Sequence, residues 1–197
     1  MKRLLASLLV ILGISFNVNA DDIRDFEIEG ISIGDSLLEH YDESVIKKHS
    51  QARFKNKTFL TLVVNKVEGL KGHNFETYDR LNIDFKNNDK NYEIYSISGI
   101  SLSNYNDNTE ACFKKVDKVF DELKELFGNQ KIYPPKIVKF RADKSGKSKI
   151  KEAAFIFNQS ADLIVVACYD YDKNMGYENF LKVSLDRKEF NDWMNLN

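Results

Sequence analysis

The feature that most constrains the fold of this chain is the order of its patterned segments. A helical pattern is followed by three strand patterns, and this order is met twice. Hairpin-length turns separate the strands within each round, which predicts antiparallel pairing and an α+β fold class, with helices packed on one face of the sheet. The order is also that of two tandem α-β-β-β units. The strand patterns lie at 57–64, 78–86 and 92–102, and again at 153–157, 163–169 and 180–185, after a first short strand at 26–33.

The most regular helical pattern is amphipathic and runs to Phe127. Asn108 or Thr109 is a suitable N-cap, and Gly128 is suited to end the helix. Asp186 and Glu189 have the spacing of a capping box and predict a last helix. The apolar stripe of the long helix consists of Phe113, Val116, Phe120, Leu123 and Phe127.

The first twenty residues have the composition of a signal peptide. Lys2 and Arg3 precede an apolar run from Leu4 to Ile14, and small residues lead to Ala20. The run is shorter than the roughly 20 apolar residues of a membrane span, which disfavours an anchor. The sequence therefore predicts cleavage after Ala20, a periplasmic or extracellular location, and no transmembrane segment after cleavage. The remaining chain divides into predicted units at 21–102 and 103–197.

Two cysteines are expected to pair in an oxidising compartment. Cys112 falls in the first turn of the long predicted helix, and Cys168 shares a strand face with Ile164 and Val166. A disulfide between them would fasten that helix to the sheet. Two buried thiols are the alternative, and a metal site is disfavoured because no histidine is near either cysteine in sequence.

A basic segment follows the long helix. It holds seven cations and one acid, Asp143, although the whole chain has a net charge of −1. Pro134-Pro135 predicts an irregular connection over 129–151. The segment predicts an anion-binding patch for lipid headgroups, an acidic polysaccharide or an acidic protein, with a solvated loop as the alternative. Its cations are Lys136, Lys139, Arg141, Lys144, Lys147, Lys149 and Lys151.

Several motifs resemble catalytic or metal-binding patterns and lack a required part. Ser32 lies in a G-x-S-x-G pattern on the first strand, without the preceding strands of a hydrolase. Residues 145–148 lack the first glycine of a phosphate-binding loop. Residues 170–174 lack the glycine and the acid of a calcium loop. His40, His49 and His73 form no metal-binding spacing, so the sequence predicts no catalytic residue, metal or cofactor.

The short strand followed by Gly34-Asp35-Ser36, a helix and three antiparallel strands resembles the small α/β domain of outer-membrane assembly lipoproteins of the SmpA/BamE type. The doubled unit with a disulfide is similar to the tandem domains of β-lactamase-inhibitory-protein type. A local echo between 28–33 and 97–102 is compatible with duplication. The chain departs from the lipoproteins in lacking a lipid-attachment cysteine. The resemblance implies a non-enzymatic binding or scaffolding role and transfers no functional residue.

These observations predict an exported, soluble binding or protein-interaction module without catalytic activity, which contacts an unknown protein or an anionic envelope component. A small envelope hydrolase and a carrier for an apolar ligand are the alternatives. Because the charge is nearly balanced and the basic segment has one aromatic residue, Phe140, nucleic acid is disfavoured as a partner.

Overall fold

A computed structural model of the chain describes residues 14–16, 22–66, 75–102, 104–105 and 107–196. Its helices are α1 (Glu43–His49), α2 (Thr109–Phe127) and α3 (Lys188–Leu196). Its first strands are β1 (Ile14–Phe16), β2 (Phe26–Ile28), β3 (Ser50–Ala52), β4 (Phe59–Asn65), β5 (Arg80–Lys86) and β6 (Ile94–Ser101). The others are β7 (Lys131–Lys139), β8 (Lys149–Ile156), β9 (Leu163–Asp170) and β10 (Phe180–Asp186).

Eight of these strands form one antiparallel sheet in the order β3-β4-β5-β6-β10-β9-β8-β7. The predicted α+β fold class is therefore confirmed. Each half of the chain contributes one helix followed by four strands, and the halves meet where Ser98 of β6 lies opposite Ser184 of β10. The echo noted in the sequence does not mark equivalent positions. Strand β2 ends at Ile28, and a turn with positive φ at Glu29 and Gly30 follows, whereas 97–102 lies in and directly after β6 at the centre of the sheet.

The main core lies between α2 and one face of the sheet. Asn108 caps α2, as predicted, because its side chain accepts a hydrogen bond from the Ala111 N–H. The apolar stripe of α2 is buried against alternate residues of the strands below it, except that Phe113 is only partly buried. Cys112 of α2 and Cys168 of β9 form the predicted disulfide, with 5.9 Å between their Cα atoms. Helix α1 buries Ile46 in the same core.

Helix α3 packs on the opposite face, at one end of the sheet, so the prediction that the helices share one face holds for α1 and α2 and is wrong for α3. Phe190 contacts Phe59 with 5.3 Å between ring centroids. The predicted capping box is wrong, because Asp186 ends β10 and its carboxylate accepts hydrogen bonds from hydroxyl groups of the sheet. The Lys188 N–H instead donates to the carboxylate of Asp162, a loop residue, at 2.8 Å. Asp162 is distant in sequence, so local spacing could not identify it.

The predicted irregular connection over 129–151 is also wrong. Strand β7 runs through Pro134-Pro135 and pairs with β8, with a register shift between Tyr133 and Lys136. Prolines are tolerated at this place because β7 is an edge strand and the bulge needs no N–H from them. Residues 136–151 therefore form a β-hairpin, named here the basic hairpin.

The predicted leader lies mostly outside the described residues, which omit 1–13 and 17–21. The backbone of β1 pairs antiparallel with β2, with Ser15 opposite Glu27. Cleavage after Ala20 would remove β1 and leave that edge of β2 unpaired. Within the described part of the chain, each helix is too short or too polar to cross a bilayer.

Candidate functional site

The face of the sheet opposite α1 and α2, named here the open face, is polar at its centre. Register places Asp84 opposite Ser96, and Ser96 opposite Asp186 on the next strand. A second row places Asn82, Ser98 and Ser184 side by side. Apolar side chains are usual where a sheet face is covered, so this row of carboxylates and hydroxyl groups sets the open face apart from the core face.

Hydroxyl groups of the sheet hold the two carboxylates in place. Asp186 accepts hydrogen bonds from Ser96 at 2.6 Å and from Ser184 at 2.9 Å. Asp84 accepts one from Thr61 at 2.5 Å, and a guanidinium nitrogen of Arg53 lies 3.6 Å from the same oxygen. Burial raises the pKa of Asp84 to about 6, because Arg53 and Thr61 offset only part of the cost of removing the charge from water.

A groove of about 330 Å³ lies over these residues. Helix α3 and Arg53 form one wall, and Tyr133 and Lys136 of β7 form the other. The polar residues of the groove between these walls are Asp84, Ser96, Ser98, Glu152, Tyr169, Lys182 and Asp186.

Two donors in the groove have no hydrogen-bond partner among the described residues. Ser98 is 7% exposed and its hydroxyl makes no side-chain hydrogen bond within this part of the chain. Lys182 makes no ion pair within 4 Å there. Burial by itself would lower the pKa of Lys182, but Tyr169 and the carboxylates of Asp186 and Asp84 outweigh burial and raise it. Lys182 is therefore a charged donor directed at the groove.

The turn of the basic hairpin is ordered by Asp143. Its carboxylate accepts hydrogen bonds from the N–H groups of Ser145 and Ser148, both at 2.8 Å. These bonds and the one with the Ser145 side chain hold the pKa of Asp143 well below its usual range. The single acid of the segment therefore fixes the turn, which disfavours the solvated loop that was the alternative to an anion-binding patch.

The seven predicted anion-binding cations divide into two groups. Lys151 pairs with Asp117 of α2 at 2.5 Å, Lys136 with Glu152 at 3.5 Å, and Lys147 with Asp172 at 4.0 Å. The other four are exposed, and no carboxylate oxygen of the described residues lies within 4 Å of them. They are Lys139, Arg141, Lys144 and Lys149, and Lys139 lies opposite Lys149 in the ladder.

An aromatic row runs from the basic hairpin towards the groove. Phe140 contacts Tyr171 edge to face at 5.1 Å, and Tyr171 stacks with Tyr169 at 5.8 Å. Tyr169 also stacks with Phe180 at 4.6 Å and lines the groove. The row brings the two candidate binding surfaces within one continuous region of the molecule.

The rejected motifs have structural roles. The Ser32 hydroxyl donates to the carbonyl oxygens of Arg24 and Phe26 inside the fold. Asp172 caps a short turn, and Asp170 accepts a hydrogen bond from Thr109. The part of the chain that the structure describes has no group of three metal-ligating side chains.

The described histidines lie away from the groove. The Nε2 atom of His40 lies 3.6 Å from a carboxylate oxygen of Asp35, and His49 is the last residue of α1; neither lines the groove. His73 lies outside the described residues. The groove was not predicted from the sequence because its parts come from strands of both halves and from α3. The polar residues at alternate positions in 80–86 and 96–98 are the signal that could have identified its floor.

Comparison with family models, with curated proteins and with solved structures found no match to this chain. The resemblance to SmpA/BamE-like and β-lactamase-inhibitory-protein-like domains therefore stays a prediction.

Proposed function

We propose that this chain is an exported binding module without catalytic activity, and that the basic hairpin contacts an anionic component of the cell envelope. The observation that carries the proposal is a group of four exposed cations on an ordered hairpin that make no ion pair with the described residues. They are Lys139, Arg141, Lys144 and Lys149. A hairpin fixed by Asp143 holds these cations at set positions, which lowers the entropy lost when an anionic surface binds them.

Two further features support export. The segment from Lys2 to Ala20 has the charge, apolar run and small residues of a signal peptide. The disulfide between Cys112 and Cys168 is typical of proteins that reside in oxidising compartments. Both features agree with a partner in the envelope or outside the cell.

The groove favours a polar partner over an apolar ligand. A carrier for an apolar ligand needs an enclosed apolar cavity, whereas this groove is open to solvent and is lined by charged residues such as Asp84 and Lys182. A hydrolase of the predicted kind would bring a histidine to carboxylates, and the described lining residues supply no histidine. No specific observation therefore favours either alternative.

Binding through the basic hairpin is expected to depend on salt. Each Lys or Arg near an anionic surface contributes about 1 kcal/mol, and screening weakens this attraction as ionic strength rises. Removing three of the unpaired cations should therefore weaken binding by about 100-fold at low salt.

The test measures binding of the chain that starts at Asp21 to phosphatidylglycerol-containing vesicles and to alginate, from low to high salt. The test variant is Arg141→Ser/Lys144→Ser/Lys149→Ser. The matched control is Lys55→Ser/Lys90→Ser/Lys124→Ser, which makes the same change in net charge at exposed positions elsewhere. We expect the hairpin variant to lose binding and the control to keep it.

Either of two results would reject the proposal. Equal losses in both variants would mean that net charge alone governs binding, and no binding to vesicles or alginate at low salt would exclude the hairpin as an anion-binding surface. The export part is tested separately by sequencing the N-terminus of native protein from the envelope fraction. A chain that still begins at Met1 and resides in the cytoplasm would contradict it.

A further inference from the structure

The groove on the open face has balanced charges. Three carboxylates and three cations lie along it, so its formal charge is zero. Two of the cations already lie beside two of the carboxylates, so an ionic ligand would have to compete with these pairs, whereas an uncharged ligand with many hydroxyl groups can donate to the carboxylates and accept from the cations without breaking them. The carboxylates are Asp84, Asp186 and Glu152, and the cations are Arg53, Lys136 and Lys182.

Hydrogen-bonding capacity in the groove is incompletely used. Ser98 is more than nine-tenths buried, lines the groove, and has no hydrogen-bond partner among the described residues. Its oxygen is not one of the enclosed polar atoms that lack a partner, so it is reachable from the groove and can bind a ligand there. Lys182 lies on the neighbouring strand β10, two residues before Ser184, which is opposite Ser98. Its ammonium group makes no ion pair with the described residues and can donate hydrogen bonds to a ligand. Both donors point to a ligand that supplies acceptor oxygens.

Acceptors are available in the same groove. Thr61 and Arg53 both approach one oxygen of Asp84, Oδ1, and leave the other oxygen for a further donor. Each oxygen of Asp186 accepts one hydroxyl group and can accept a second bond. The floor therefore places hydrogen-bond acceptors beside the donors Ser98 and Lys182. Neighbouring hydroxyl groups of a sugar can bind both, because each hydroxyl group donates and accepts.

Aromatic rings at the side of the groove add an apolar contact. Tyr169 and Tyr133 both line it, and Tyr133 is 41% exposed. Tyrosine presents a flat apolar face with a polar tip, a surface on which the C–H face of a pyranose ring can lie. The volume of about 330 Å³ is at the small end of the range for small-molecule sites, about 300–1,000 Å³.

We infer that the groove binds an uncharged mono- or disaccharide unit. Asp84 and Asp186 accept hydrogen bonds from its hydroxyl groups, and Ser98 and Lys182 donate to its oxygens. Tyr133, whose side chain is exposed at the groove, contacts its apolar ring face. This site is separate from the four unpaired cations of the basic hairpin, and it binds its ligand by hydrogen bonds and stacking instead of by net charge.

The experiment screens the chain from Asp21 against a glycan array, and then titrates it with cellobiose, maltose, lactose and N,N′-diacetylchitobiose by saturation-transfer NMR and calorimetry. Two variants test the site. Ser98→Ala removes an unpartnered hydroxyl group, so it should fold normally and weaken binding by about 2- to 10-fold. Lys182→Met removes the charged donor and keeps an apolar stem, and it should reduce binding below detection.

Tyr177→Ala is the matched control, because Tyr177 is 60% exposed and lies outside the groove. It should bind like the unmodified chain. Binding should also be the same at low and high salt, in contrast to binding at the basic hairpin. Circular dichroism and thermal unfolding check that each variant is folded.

The inference is overturned by the absence of binding to any neutral glycan, by neutral-glycan binding that Ser98→Ala and Lys182→Met leave unchanged, or by selective binding of a charged peptide in the groove. Binding of acidic glycans alone, lost at high salt and in the hairpin variant, would also overturn it while supporting the proposed function. A chain that binds neutral glycans but neither vesicles nor alginate would contradict the proposed function and support the sugar site in the groove.

Discussion

Thr61 donates a hydrogen bond to Asp84 at 2.5 Å across β4 and β5, under the groove of the open face. Asp84 is 1% exposed, and burial raises its pKa from 3.8 to about 6. Between these two values the folded state binds more protons at this site than the unfolded state. The contribution of Asp84 to the free energy of unfolding therefore falls as pH rises from about 4 to about 6, and stays low above that window.

Asp84→Asn should remove this dependence. The amide keeps an acceptor for Thr61 and carries no charge, so the free energy of unfolding at neutral pH should rise, by at most about 3 kcal/mol. Urea denaturation on both sides of the window measures the change. Asp121→Asn, at an exposed position of α2, is the control and should leave the pH profile unaltered. Parallel profiles for Asp84→Asn and the unmodified chain would contradict the assignment.

The disulfide should contribute strongly to stability. Cys112 and Cys168 are 56 residues apart, and the chain-entropy model gives about 4 kcal/mol for a loop of this length. Cys112→Ala/Cys168→Ala should lower the free energy of unfolding by an amount of this order, and reduction should have the same direction of effect. Urea denaturation with and without reductant measures it. Two alkylated cysteines in the native protein, detected by mass spectrometry, would show that the bond is not formed in the cell.

Local patterns predicted the parts of this fold that depend on local interactions. The stripe of α2 and its Asn108 cap follow from spacing within one helix, and the strand alternation follows from one buried face. The disulfide could be predicted as well, because the chain has two cysteines and the predicted faces of their two elements allow them to meet.

Features set by distant residues could not be predicted in this way. Pro134-Pro135 is compatible with a strand because β7 lies at the sheet edge, a position that depends on the whole strand order. The Asp186 carboxylate accepts hydrogen bonds from the sheet instead of capping α3, because the hydroxyl groups of Ser96 and Ser184 lie within hydrogen-bond distance of it. The groove needs strands from both halves, so no single segment of sequence contains its pattern.

Residue 99 should have to be glycine, because the ring of Tyr78 leaves no room for a side chain there. A Cβ atom at residue 99 would lie 2.6 Å from two ring carbons of Tyr78, which is buried and has little room to move. Gly99→Ala should lower the free energy of unfolding by about 1–3 kcal/mol through overpacking. The same substitution in a Tyr78→Ala background should cost much less, because the clashing ring is absent. Equal costs in the two backgrounds, measured by urea denaturation, would contradict this packing argument.

Pro134 and Pro135 should keep the exposed edge strand β7 from pairing with strands of other chains. Strand β7 pairs on one side with β8, and its Ile137 is 56% exposed. Exposed edge strands can pair with other chains, and prolines and lysines hinder this because they remove donors and add charge. Pro134→Thr/Pro135→Thr restores two N–H groups and adds residues that favour strands. We expect this variant to associate at concentrations where the unmodified chain does not.

Sedimentation velocity over a range of concentrations measures the association. Adding Ile137→Lys to the double variant places a charge on the same edge and should reverse the effect. If the double variant sediments like the unmodified chain at every concentration, the prolines are not what keeps β7 from pairing. If Ile137→Lys fails to reverse an association, the contact does not involve the β7 edge, because a lysine in that edge would oppose any strand added there.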